Sequence, residues 1–335
     1  MSIFSRFAGR RVLVVGDAML DEHIQGQVRR LSPEAPVPIV EIQSRRFHPG
    51  GAANVAANIT SLGGRALLVG IIGSDAAGVQ LRQELSACGV APEYLIAAVE
   101  RRTTTKSRVM AGGQHIVRFD EECRLVLSPE EEDALAKRAA ECARDADACV
   151  ISDYAKGVVS RRVCQRVITA ASAKGIPIVV DPKGSDYTKY AGATVITPNL
   201  NEARTVAGTY DSRFHARDDS GILVEDIAET IMARCPASLL ITRGSEGMSL
   251  FERGARPVPI TARARQVYDV TGAGDTVVAT LALALAAGLS LESACRLGNL
   301  AAGIVVGELG ASTISLEALQ SATKEEEPML GLRYR

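Results

Sequence analysis

Short, near-continuous apolar runs recur along the chain: Arg11–Gly16 (RVLVVG), Ala66–Ile72 (ALLVGII), Ala148–Ser152 (ACVIS), Pro177–Asp181 (PIVVD), Thr194–Thr197 (TVIT) and Ser238–Thr242 (SLLIT). Runs that do not alternate with polar residues suit strands buried on both faces. Between them lie helical patterns over Ala52–Leu62, Ala76–Cys88, Pro129–Arg144, Arg161–Lys174, Asn201–Ala207 and Val224–Cys235. Strands alternating with helices predict a central, mostly parallel sheet covered by helices on both faces.

Three stretches break the rhythm. Pro36–Gln43 and Thr103–Phe119 read as antiparallel strands, with the short β-rich Glu93–Val99 between them in sequence, and Gly112-Gly113 offers a hairpin turn with two positive φ angles. These segments, about 22–46 and 93–120, are expected to form a small β-lid outside the main sheet. Further on, Met248–Ile260 suggests an antiparallel hairpin, followed by Ala-rich helices over Ala273–Ala287 and Leu291–Val306. Residues 1–320 are expected to form one domain. The tail 321–335, with mixed charge and a proline, is expected to fray.

Composition narrows the class. The 335 residues are 47% hydrophobic but only 4% aromatic, so the core must be built from Ala, Val, Leu and Ile. A net charge of −1 supplies no field to recruit nucleic acid or an anionic membrane. Seven cysteines without a CxxC pair read as reduced, buried thiols. The four histidines lack zinc-ligand spacing, and neither a leader's apolar region nor a bilayer-spanning run is visible. The expectation is a cytoplasmic protein.

Candidate chemistry centres on DVTGAGDT, Asp269 to Thr276. Gly272, Ala273 and Gly274 precede a strong helix, where converging N–H groups and the helix dipole favour an anion. A carboxylate at that point, Asp275, is electrostatically awkward. Its functional reading is a base that takes the proton of a hydroxyl attacking a phosphate held nearby. The bland alternative, a first-turn acid with glycines for tight packing, stands about level on spacing alone. No Gly-Lys dipeptide forms a P-loop, and GAGDTV lacks the third glycine of GxGxxG.

DVTGAGDT resembles the C-terminal signature of the ribokinase-like (PfkB) carbohydrate kinases. PGGAANVAAN, Pro49–Asn58, resembles their N-terminal one, in the same order and separation. The resemblance runs from about Arg11 to Ser315. It implies the three-layer ribokinase-like α/β fold with a β-lid over the sugar site, ATP as co-substrate and Mg2+; a monovalent-cation requirement is left open. It assigns the base to Asp275 and the anion hole to Gly272, Ala273 and Gly274. On the nucleotide side Asn199 and Glu202 match an N-x-x-E element, with Glu202 orienting hydrated Mg2+ through water. Thr242 and Gly244, in ITRGSEG, would pass the phosphates, and Asn299 would lie by the adenine. Each has a plain structural alternative, as cap or buried polar residue.

On the sugar side the resemblance places Asp17, Asp21, Gly50, Gly51 and Asn54. From Arg101 to Phe119 there are five cations and no acid. Alternation brings Lys106, Arg108 and Arg118 to related faces, and Lys156 in SDYAKG adds another. Arg108, Arg118, Asp120 and Lys156 are therefore expected around an acceptor that already carries a phosphate; edge-strand protection is the alternative. GDAMLDEHIQGQVRRLSPEAPVPIVEI, TTTKSRVMAGGQHIVRFDEE and ISDYAKGVVS are similar to the kinase portion of D-glycero-β-D-manno-heptose 7-phosphate kinases. That implies phosphorylation of O1 and, with no HxGH motif in the chain, the single-function form. Lids of that family clasp in homodimers. A different PfkB sugar or nucleoside kinase, a non-catalytic regulator on the same fold and a dinucleotide oxidoreductase are the competing readings.

Overall fold

The computed structural model describes residues 3–211, 223–263, 270–307 and 313–332. Asp269, which opens the glycine-rich run, and the last three residues of the tail lie outside them. The chain begins with β1 (Arg11–Gly16), then β2 (Ala18–Leu31), β3 (Pro38–Gly51), α1 (Ala52–Ser61), β4 (Arg65–Gly73), α2 (Ala76–Ala87), β5 (Leu95–Ala98), β6 (Thr104–Ala111) and β7 (Gln114–Glu121). It continues with α3 (Pro129–Asp145), β8 (Ala148–Ser152), α4 (Arg161–Lys174), β9 (Ile178–Asp181), β10 (Val195–Ile196), α5 (Leu200–Tyr210) and α6 (Val224–Arg234). The last elements are β11 (Ser238–Thr242), β12 (Met248–Phe251), β13 (Val258–Ile260), α7 (Ala273–Ala286), α8 (Leu291–Val305) and α9 (Leu316–Leu330).

The main sheet has the order β13-β12-β11-β10-β9-β8-β1-β4-β5. It is parallel from β5 to β11, and β12 and β13 return antiparallel. Side chains of β1 alternate between two cores: Val12 and Val14 pack with α1 and α7, whereas Leu13 and Val15 pack with α3 and α4. Both faces are thus sealed, as the unbroken apolar runs require. Six of the seven cysteines are buried and all are free thiols.

A second sheet, β3-β2-β6-β7, forms the lid. Gly112 and Gly113, at φ 56° and 78°, turn the β6–β7 hairpin as expected. Three expectations are corrected. Leu95–Ala98 pairs parallel with β4 in the main sheet and is no part of the lid. The lid strand β2 begins at Ala18, before the expected lid segment from about residue 22, and pairs with β3 along its length; buried acids interrupt its alternation. The tail through Leu330 forms α9, capped by Ser315 Oγ on the Ala318 N–H. Its own Leu319 and Thr323 are buried, and this packing outweighs the polar composition.

Candidate active site

Parallel strands deliver their C-terminal ends to one edge of the sheet, the usual crevice of such folds. There β1 leads to Asp17, β8 to Asp153 and Tyr154, β9 ends in Asp181, β10 leads to Asn199, and β11 ends in Thr242. Asp275, in the first turn of α7, meets this edge and is only 6% exposed. Asn54 Nδ2 donates to its Oδ2 at 2.7 Å, and the Tyr154 hydroxyl donates to its Oδ1 at 2.7 Å. Burial pushes the Asp275 carboxyl up to about 6, against the opposing pull of those two donors. A carboxylate so placed is ionised at neutral pH yet more basic than an ordinary one.

Glycine is required around it. Gly272 has φ 81°, and a Cβ there would sit 3.0 Å from Asn54 Nδ2. Gly51 has φ 55°, and its Cβ would lie 2.6 Å from the Asp17 carbonyl. Next to it, a Cβ on Gly50 would meet Asp21 Oδ2 at 2.7 Å. Of the expected anion-hole groups, the Ala273 N–H bends towards the Val270 carbonyl at 3.3 Å. The Gly274 N–H meets no acceptor among the described residues, and Gly274 lines the cavity.

That cavity, of about 180 Å³, is also lined by Asp181, Lys183, Asn199, Glu202 and Thr242. Asn199 and Glu202 form a reciprocal cap: Asn199 Oδ1 accepts the Glu202 N–H, and Glu202 Oε2 accepts the Asn199 N–H. The other oxygen, Oε1, accepts Lys183 Nζ at 2.5 Å. Burial, then the charges of Asp275 and Glu202, raise the Asp181 carboxyl well above its ordinary range. Among the described residues no cluster of three ligating side chains could hold a metal alone. Two carboxylates on an open cavity nevertheless fit Mg2+, which takes few protein ligands and completes its shell with phosphates and water.

Two further nucleotide-side residues, Asn299 and Gly244, lie outside the lining of this cavity. Asn299 is 5% exposed and donates to the Thr261 carbonyl at 2.8 Å, which anchors α8 to the end of β13. Gly244 makes a positive-φ turn after β11, at φ 58°, and is not among the residues lining the cavity with Thr242.

On the other side of Asp275, register puts Asp21 opposite Lys106, Lys106 opposite Asp120, and Arg108 opposite Arg118. These side chains share one face of the lid. Its cations are not acid-free as the isolated hairpin sequence suggested. Arg108 donates to Asp21 at 3.0 Å with both side chains nearly buried, Arg118 forks onto Asp120, and Lys156 donates to Glu122 at 2.6 Å. Arg101 is a brace, donating to the carbonyls of Leu125 and Lys156, and Arg102 pairs with Glu121. Lys106 has no carboxylate partner among the described residues; its ammonium lies 5.3 Å from the centroid of the Tyr154 ring. Burial and the nearby Arg118 and Lys156 charges lower its pKa, against the pull of Asp21 and Asp120. Asp17, 2% exposed, accepts the N–H groups of Tyr154, Lys156 and Val158 and so pins that loop under the lid.

Sequence reasoning missed Tyr154, Asp181 and Lys183. The acid ending PIVVD was the visible sign for Asp181; Tyr154 gave none, since its partner is 121 residues away.

Comparison with known proteins agrees with this geometry. The profile described as pfkB family carbohydrate kinase matches residues 10–319. The chain is 44% identical over 326 residues to the bifunctional protein HldE of Shewanella amazonensis, covering 97% of this chain and 66% of that protein. It is 46% identical over 316 residues to HldE of Geotalea uraniireducens, covering 94% and 63%. The chain thus spans just under two thirds of the length of these relatives. Among solved structures, Arabidopsis thaliana ribokinase with ribose and ATP matches with a TM-score of 0.70 at 23% identity, covering 95% of this chain and 99% of that one. Escherichia coli phosphofructokinase-2 with potassium matches at 0.75 and 22%, covering 96% and 99%. At such identities these two establish the ribokinase-like fold. With the profile match spanning nearly the whole chain, the protein belongs to the pfkB family of carbohydrate kinases.

Proposed function

We propose that the protein transfers the γ-phosphoryl group of ATP to O1 of D-glycero-β-D-manno-heptose 7-phosphate, giving the 1,7-bisphosphate on the way to ADP-heptose. The observation that carries this reading is the buried Asp275 held by Asn54 and Tyr154, with the α7 N-terminus on one side and Lys106 on the other. Asp275 takes the O1 proton as the new O–P bond forms and the bond from Pγ to the β–γ bridging oxygen breaks. The Gly274 N–H and the α7 dipole face the charge that develops on the transferred group. Mg2+, when bound, neutralises phosphate charge beside Asp181 and Glu202.

The heptose assignment rests on the likeness of the lid and SDYAKG segments to heptose 7-phosphate kinases, and Lys106 supplies a cation suited to a phosphorylated acceptor. Arg108, Arg118, Asp120 and Lys156 then shape that site as ion pairs, and Asp17, Asp21, Gly50 and Gly51 complete its floor. The opposite face of the lid is an apolar groove of about 760 Å³ in which Val117 and Phe119 stay half exposed. This supports a homodimer formed through the lids. Among the described residues no helix is long and apolar enough to cross a membrane; the proposed location is the cytoplasm, where ATP is available. Another sugar or sugar-phosphate acceptor of the same family is the alternative.

The deciding assay follows ADP release with ATP, Mg2+ and a panel of free and phosphorylated sugars. Turnover is expected with the heptose 7-phosphate far above the rest. Efficient turnover of ribose or a nucleoside, with none of the heptose, contradicts the assignment.

A further inference from the structure

The nucleotide-side cavity contains an ion pair that nothing in the phosphoryl-transfer scheme calls for. Lys183, two residues beyond the end of β9, donates from Nζ to Glu202 Oε1 at 2.5 Å. Glu202 has no free oxygen left, because its Oε2 accepts the Asn199 N–H. Among the described residues lining the cavity, Lys183 is the single cation, facing Asp181 and Glu202. The other carboxylate there, Asp153, is already engaged by Lys189, Tyr190 and the Ala155 N–H. The charge of Lys183 therefore offsets part of the negative charge of Asp181 and Glu202.

A metal–nucleotide complex changes that balance. A divalent ion beside Glu202 competes with the ammonium for the same oxygen, while a triphosphate brings more negative charge than its metal neutralises. Lys183 is 48% exposed along its side chain, and an ion pair this open is weak and exchanges readily. We propose that Lys183 is an exchangeable counter-ion: it holds Glu202 in the metal-free enzyme and passes to the nucleotide phosphates when the metal takes Glu202. The inference rests on the nucleotide-site reading above, and it deepens it by naming a residue that couples metal entry to phosphate capture.

The two halves of the exchange predict opposite effects of one substitution. In nucleotide-free protein, Lys183→Met removes the competitor, so Mn2+ (read by the electron paramagnetic resonance of the free ion) binds several-fold more tightly. In saturating Mg2+, the same variant loses a charge-assisted contact to phosphate, so the calorimetric Kd for ATP rises about tenfold. Lys183→Arg keeps the charge and stays near wild type in both titrations. A purely structural role of the pair would leave both affinities alone or weaken both together. Unchanged or weakened Mn2+ binding in Lys183→Met, or unchanged ATP binding, overturns the proposal. If the wild type itself binds no ATP, the nucleotide-site reading falls and takes this inference with it; normal wild-type binding with insensitive variants removes the inference alone.

Discussion

Tyr154 and Asp275 meet at the edge of the parallel sheet, the phenolic hydroxyl donating to the carboxylate Oδ1 at 2.7 Å. Asn54 takes the other oxygen at the same distance. Burial and the Asp275 charge hold the Tyr154 hydroxyl well above its usual pKa, so it keeps its proton and acts only as a donor. An acceptor hydroxyl that gives its proton to Asp275 must therefore share an oxygen with one of these two side chains or displace it. Tyr154 belongs to the base as a positioning residue.

Removing that donor should show in the pH profile. The hydrogen bond favours ionised Asp275, and the carboxyl stands at about 6 with the bond in place. Wild-type kcat/KM is expected to fall as pH drops through about 6. In Tyr154→Phe the acidic limb should move to higher pH, leaving activity at alkaline pH least affected. A limb in the wild-type position would separate Tyr154 from the base.

Asp275 also costs stability. Its folded pKa is raised from 3.8 to about 6, so its contribution to stability is present below about 4 and is lost as pH rises through about 6. Asp275→Asn should therefore be more stable than wild type at pH 8, by on the order of 1–3 kcal/mol from about 1.4 kcal/mol per pK unit. The difference should vanish towards pH 4. Urea melts at the two pH values test this.

Unlike Arg108, Arg118 and Lys156, Lys106 has no acid partner among the described residues, so it is free to hold a phosphate on the acceptor. Lys106→Met should raise KM for the sugar phosphate roughly 10- to 100-fold, the range of a lost charge-assisted contact. KM for ATP should change little. Equal effects on both substrates would place Lys106 at the transferred phosphoryl group instead.

Arg108 has a different job. Its pair with Asp21 is nearly buried, and Arg108→Ala would leave that carboxylate without its cation. A loss of about 3 kcal/mol in unfolding free energy is expected, by the usual cost of breaking a buried pair. Double replacement of Arg108 and Asp21 by Met and Leu should recover much of it, as denaturant midpoints would show.

What the sequence made legible follows from the range of the forces involved. Strands such as Ala148–Ser152 and Ser238–Thr242, and the helix Arg161–Lys174, appear in the structure with the expected bounds, because local apolar patterning decides them. Asp275 was legible through its glycine-rich run. By contrast the start of β2 was hidden, since Asp21 and Glu22 look like turn residues until Arg108, Arg45 and Ser107 arrive from distant strands to satisfy them. The lid cations looked unpaired for the same reason: Arg108 and Asp21 are 87 residues apart, and Lys156 and Glu122 are 34 apart. In α9, Leu319 and Thr323 find a buried surface that composition could not reveal.

The most direct test of the account is a paired measurement on Asp275→Asn with ATP, Mg2+ and the heptose 7-phosphate. The account predicts near-normal dissociation constants for both substrates and a kcat lower by about 10²–10⁴-fold, the range of a lost general base. A variant that binds both and turns over at close to the wild-type rate would contradict it.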